Sequence, residues 1–119
     1  MISKQPFLDN AFKWIYKKSV SSVKAQTKDY EQPKVFRNKD TGKEIQADFS
    51  FITQRGSKSY SDIALKSDYP QELVTRWKLL SFMASINQGK LHLLAPNGHK
   101  MFTQKLVDKY KIKALIHSI

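Results

Sequence analysis

Between Glu44 and Thr53 the chain alternates in character: Ile45, Ala47, Phe49 and Phe51 fall on one side, Glu44, Gln46, Asp48 and Ser50 on the other. A period of two belongs to extended backbone, where successive side chains point to opposite faces, so this segment is expected to be a half-buried strand with Asp48 turned away from the phenylalanines. A strand with one apolar face needs further strands beside it and a layer to cover it. Val35 and Phe36, followed by the turn residues Asn38, Asp40 and Gly42, predict the strand that pairs with it as a hairpin. Ser59 to Lys66, after a basic turn over Gln54 to Lys58 that holds Gly56, predicts a third, with Tyr60, Asp62, Ala64 and Lys66 in phase. Three strands are thus expected to form an antiparallel meander.

The period then changes. Pro70 suits the first turn of a helix, Glu72 sits close behind it, and Leu73, Trp77, Leu80 and Ala84 recur at helical spacing up to Gly89, the expected stop. Trp77 lies on the apolar stripe and is assigned to the core. Leu91 to Ala95 reads as a short apolar strand, Pro96 to Gly98 as a turn, Met101, Phe102, Leu106 and Tyr110 as a third helix, and Ile112 to Ile119 as a last strand. Strands joined through helices favour parallel pairing in a buried sheet. Upstream, Phe7, Ala11, Phe12, Ile15, Val20 and Val23 predict an amphipathic helix from Pro6 to about Gln26, with Asp9 in its first turn and Lys13, Lys17, Lys18 and Lys24 on its polar face. Thr27 to Pro33 reads as a connection. The fold class is therefore α/β, a mixed central sheet with flanking helices.

One domain of 119 residues with 40% hydrophobic content buries enough surface to fold without staples, and the chain has no cysteine. That removes thiol nucleophiles and cysteine-based zinc sites. No apolar run is long enough for a membrane span and no segment resembles a signal peptide, so no membrane partner is expected and the cytoplasm is the expected compartment. Lys and Arg number 21 against 10 Asp and Glu, a formal charge of +11. Such a surface attracts phosphate backbones by Coulomb steering and counterion release, so DNA or RNA is the expected partner. Arg55, Lys58, Arg76, Lys78 and Lys100 are the candidate nucleic-acid contacts, Tyr60 and Tyr69 the candidate stacking rings. His92, His99 and His117 lack the close spacing of a zinc hydrolase site. With four glycines and no Gly-x-Ser-x-Gly elbow, nucleotide-cradling loops and a serine hydrolase are disfavoured.

The acidic residues of the strands carry a further signal, Gln46-Ala47-Asp48 and Ser61-Asp62-Ile63-Ala64-Leu65-Lys66, with eighteen residues from Asp48 to Lys66. With the order helix, three strands, helix, strand, helix, strand, they resemble the restriction-endonuclease-like, or PD-(D/E)xK, nucleases. The resemblance covers nearly the whole chain in element order and about twenty residues in motif. It implies an αβββαβ core plus an αβ extension. It also implies a catalytic set of Asp48, Asp62 and Lys66, with Mg2+ or Mn2+ held by Asp48 and Asp62, Glu44 as an alternative carboxylate, and Lys66 polarising the phosphate or the attacking water. The chain departs from the pattern where Ala47 replaces the proline and Ala64 stands two before Lys66. Asp62 lies roughly 7 Å of strand behind Ala64, so it completes the site only if a bulge or shifted register brings it forward, or else Glu44 or an acid of the first helix contributes instead. The alternative is a catalytically inactive relative that keeps the fold to bind nucleic acid or to serve in protein assembly; a homodimer or an accessory protein is a further expected partner.

Overall fold

The computed structural model describes residues 3–119. The helix expected to reach Gln26 stops much earlier: α1 spans Leu8–Tyr16, and Ser21–Ala25 forms β1. Ser19, Ser21 and Ser22 offer the backbone local hydrogen bonds that compete with helix, and β-branched Val20 and Val23 favour extended chain. Ser19 and Ser22 both adopt positive φ, 49° and 51°, which no continuing helix allows.

The expected strand from Glu44 to Thr53 is two strands. β2 (Val35–Arg37) pairs only with β3 (Glu44–Gln46) in a separate two-stranded sheet, and after a break at Ala47 and Asp48 the chain enters the main sheet as β4 (Phe49–Ile52). The break also undoes part of the alternation, because Ala47 packs in one core cluster and Phe49 and Phe51 in the other. β5 (Lys58–Ile63), α2 (Pro70–Ile86), β6 (Leu91–Ala95), α3 (Lys100–Tyr110) and β7 (Leu115–Ser118) follow in the expected order.

The main sheet runs β1-β4-β5-β6-β7. Of the expected meander only the β4–β5 pair is present: β1, expected as helix, takes the place of the Val35–Phe36 strand as the antiparallel neighbour of β4, while β6 and β7 join in parallel, as crossover connections require. Two core clusters lie on its two faces. Ala11 and Ile15 of α1 pack with Phe49, Phe51, Ile63 and Leu94 on one side. Val74, Trp77, Leu80 and Ala84 of α2 and Leu106 and Val107 of α3 pack with Tyr60, Ala64, Leu91 and Leu93 on the other. The molecule is a mixed α/β fold of three layers. Among the described residues no helix is long and apolar enough to cross a membrane.

Gly89 does not terminate α2. Asn87 is the cap and Gln88 takes the left-handed turn at φ 61°. Glycine is needed at 89 because a Cβ there would stand 1.9 Å from the Lys58 carbonyl oxygen, where the chain leaving α2 crosses the start of β5.

On the α1 face His92 and His117, on neighbouring strands, share a hydrogen bond of 3.0 Å between Nδ1 and Nε2 and both lie against Trp14. Burial, and then the neighbouring His117, Lys18 and Lys90, push His92 down to about 4 from its ordinary 6.5. An unfolded chain takes up a proton at this histidine below pH 6.5 while the folded chain does not until about 4. Stability contributed by the neutral ring is therefore complete above 6.5 and is lost as the pH falls towards 4. Urea titrations between pH 6.5 and about 5, above the ordinary carboxylate range, are expected to show stability falling with acid by up to ~1.4 kcal/mol per pH unit. His92→Gln should flatten that slope. An unchanged slope in the variant would mean that His92 titrates alike in both states.

Candidate functional site

The register of the β4–β5 hairpin, with Phe49 opposite Ser61 and Ser50 opposite Tyr60, places Asp48 across from Asp62 without any bulge in that pair. Asp62 is 1% exposed in the centre of the sheet, and Asp48 lies at the break where β4 begins. No bulge or shifted register is present in this pair, and Asp62 faces Asp48 directly. The Asp48 backbone N–H donates to Asp62 Oδ1 at 2.9 Å, and the Ile63 N–H donates to Asp48 Oδ2 at 2.8 Å.

Two cations close on this pair. Arg76 of α2 grips Asp62 with a two-pronged contact, Nε to Oδ2 at 2.5 Å and Nη2 to Oδ1 at 3.0 Å, and its Nη2 also donates to the Gln46 carbonyl oxygen. The same guanidinium is 3.7 Å from Asp48 Oδ1. Lys4, ahead of α1, donates to Asp48 Oδ2 at 2.8 Å. Trp77 Nε1 adds a bond to Asp62 Oδ2 at 3.3 Å. Two carboxylates and two cations leave the cluster neutral.

The charges decide the proton affinities. Burial works to raise Asp62, but Arg76, Lys4 and the bonds from Arg76 and the Asp48 amide outweigh it and hold this carboxyl below its ordinary value. Asp48 goes the other way, raised by burial and by the charge of Asp62 against the partial relief of Lys4 and Arg76. Arg76 is raised: burial opposes its charge, and the two carboxylates more than compensate. The guanidinium is permanently charged.

The other expected site residues lie elsewhere. Lys66 does not share the strand face of Asp62, since β5 ends at Ile63; its side chain is exposed, its N–H donates to His99 Nδ1 at 2.9 Å, and no ion pair joins it to either aspartate among the described residues. Glu44 is separated from the pair by the break after Gln46 and is bound to Arg37 at 2.9 Å. Arg76 is half-buried, with its Nε and Nη2 engaged by Asp62 and the Gln46 carbonyl. Tyr60 is 1% exposed and cannot stack on a base, whereas Tyr69 is 68% exposed. Arg55, Lys78 and Lys100 are exposed and Lys58 is half-buried. Arg76 and Lys4 are the two members of the cluster whose roles were missed. Arg76 had a signal: it falls with Leu73, Trp77 and Leu80 on one helical face, and a charge on an apolar stripe needs a buried partner.

A divalent metal does not fit this donor set. An ionised carboxylate offers about four lone-pair positions, and Asp62 already receives the Asp48 amide, two Arg76 nitrogens and the Trp77 indole. Asp48 Oδ2 is likewise taken by Lys4 and the Ile63 amide. Among the described residues no group of three or more His, Asp or Glu side chains is arranged to hold a metal ion.

Arg76→Ala strands a buried carboxylate and is expected to cost about 3–5 kcal/mol of stability. Adding Asp62→Asn to it should recover part of that loss, since the uncompensated charge is then gone. A double-mutant cycle by urea denaturation reads the coupling, and strictly additive losses would deny the pair its role. No family model matches this chain, nor does any curated protein or solved structure.

Proposed function

We propose that this protein is a nucleic-acid-binding domain of restriction-endonuclease-like architecture that has no phosphodiester-cleaving chemistry. The observation that carries the proposal is the saturation of Asp62 by Arg76, the Asp48 amide and Trp77, which leaves no lone pair for a metal. Support for the architecture comes from the antiparallel β1, β4 and β5 followed by parallel β6 and β7. In the family pattern an acid is followed two positions later by lysine. Asp62 is the acid that faces Asp48, so the lysine position falls on Ala64, which is fully buried in the core. The acidic frame then survives without the group that polarises the phosphate.

The surplus charge supports binding. Of 21 Lys and Arg in the chain, Arg76 and Lys4 are consumed by the aspartates, while Arg55, Lys78 and Lys100 are exposed on separate elements. Contacts of this kind read phosphates and not bases, so binding should be indifferent to sequence and sensitive to salt. The second reading, a metal-dependent nuclease, is favoured by the direct juxtaposition of Asp48 and Asp62.

Anisotropy titrations with labelled single- and double-stranded DNA and RNA are expected to show binding whose affinity falls steeply between low and physiological salt. The same substrates, incubated with Mg2+ or Mn2+ beside Lys66→Ala and Asp62→Asn controls, should remain intact. Cleavage by the wild type that Asp62→Asn abolishes would replace this proposal with the nuclease, and salt-independent affinity would remove the phosphate-backbone account.

A further inference from the structure

The far end of the hairpin that carries the aspartates is built differently. Lys58 begins β5, and its side chain projects from the same sheet face as Tyr60 and Asp62, two and four residues on. Its ammonium lies 5.7 Å from the centre of the Tyr60 ring. Lys34, ahead of β2, lies 5.6 Å from the centre of the Phe36 ring, and Phe36 meets Tyr60 edge to face with centroids 5.8 Å apart. Two ammonium groups are thus held over one aromatic pair. Lys24 of β1 is the third: it stands opposite Ser50, which in turn stands opposite Tyr60. Like charges gathered in this way disfavour protonation, and Lys58 is lowered by burial first and then by Lys24 and Lys34.

Lys24 and Lys58 line a cleft of about 510 Å³ between β1 and the β4–β5 hairpin, and the charge of Lys34 acts on Lys58 from beside it. Its one acidic lining residue is Glu31, 3.8 Å from Lys24 and largely exposed. The floor of the cleft is irregular. Between Ser21 and Lys24 the register of β1 against β4 slips, Ser21 facing Ile52 and Lys24 facing Ser50, so three steps on one strand oppose two on the other. Ser22 at this bulge holds φ 51°. A bulge leaves its extra residue out of the ladder, and backbone strain of this sort persists where the surrounding structure enforces it.

From this geometry we infer that the cleft is an anion site for a phosphate group, with Lys24, Lys34 and Lys58 supplying the charge. Three cations against one exposed acid leave a surplus of about two charges, which matches one free phosphate dianion or two consecutive backbone phosphodiesters of one charge each. The inference deepens the nucleic-acid reading by placing a backbone phosphate at this point, and free phosphate is the other source of the same chemistry.

Inorganic phosphate and a short oligothymidylate serve as the two probes, followed by amide and lysine side-chain NMR on the full chain. Phosphate is expected to shift Ser22, Val23, Lys24 and Lys58 in a saturating manner while Lys78 and Lys100 stay in place. Lys24→Met with Lys58→Met should weaken phosphate binding by about tenfold or more and lower the salt slope of oligothymidylate binding by about 1 per lysine. Lys39→Met with Lys105→Met, at exposed lysines outside the cleft, should leave phosphate binding unchanged. Thermal unfolding of each variant checks that it is folded, and Lys→Arg at both cleft positions should retain phosphate binding. Oligothymidylate binding that is indifferent to the cleft variants, with phosphate shifts spread evenly over surface lysines, would overturn the site and leave the nucleic-acid reading standing. Saturable, lysine-dependent phosphate binding without oligothymidylate binding would support the site and overturn that reading.

Discussion

A carboxylate with 1% exposure sits at the middle of this sheet, and the placement of four elements depends on how it is satisfied. Asp62 lies on β5, receives the amide at the entry to β4, and is gripped by Arg76 of α2, which also holds the Gln46 carbonyl at the end of β3. Hydrophobic packing would allow α2 to slide along its stripe of Val74, Trp77, Leu80 and Ala84. The two-pronged guanidinium contact does not, because its donors are fixed in a plane and match one carboxylate in one orientation. Apolar pairs of similar volume stabilise a fold as much as buried ion pairs in many proteins. What the ion pair adds is a single registry of helix on sheet.

The second half of the chain was legible because each element has one period and one consistent partner layer. Pro70, the stripe on α2, the apolar run Leu91 to Ala95 and the spacing of Met101 to Tyr110 fix type and order, and crossover geometry then fixes parallel pairing. The first half misleads for definite reasons. Val20 and Val23 continue the helical spacing of Ile15, so β1 is hidden, although Val23 and Ala25, two apart and packed in the same cluster, carry the strand signal. Glu44 to Ile52 keeps its alternation in sequence, but the chain changes sheets at Ala47 and Asp48, and periodicity does not record which sheet a strand joins.

The same limits governed the site. Asp48 and Asp62 were identifiable from residue type and phase, and the hairpin register brings them together. Lys66 was placed on their strand by extending β5 three residues too far, where no neighbour continues the ladder on the β4 side. Lys4 stands forty-four residues from its partner Asp48 and has no local pattern that would announce it. Long-range ion pairs of this kind depend on the tertiary path of the chain, which composition and spacing do not encode.

The neutral cluster and the lysine cleft share one face of the β4–β5 hairpin. Lys58 and Asp62 are four residues apart on one strand, roughly 13 Å at about 3.3 Å per residue, a span of about two nucleotide steps in an extended strand, since each step covers no more than about twice that rise. Tyr60 and Asp62 lie beneath α2 and the β2–β3 sheet, so a polyanion seated on Lys24, Lys34 and Lys58 would feel the aspartates through their field and not by contact. Two bare carboxylates there would repel it, and the repulsion would be strong because Asp62 is dry. With Arg76 and Lys4 in place the field of the pair is cancelled locally. The contacts that seat α2 on the sheet thus also cancel the charge of the aspartate pair beneath the lysines, and folding and the proposed anion binding make the same demand on Arg76.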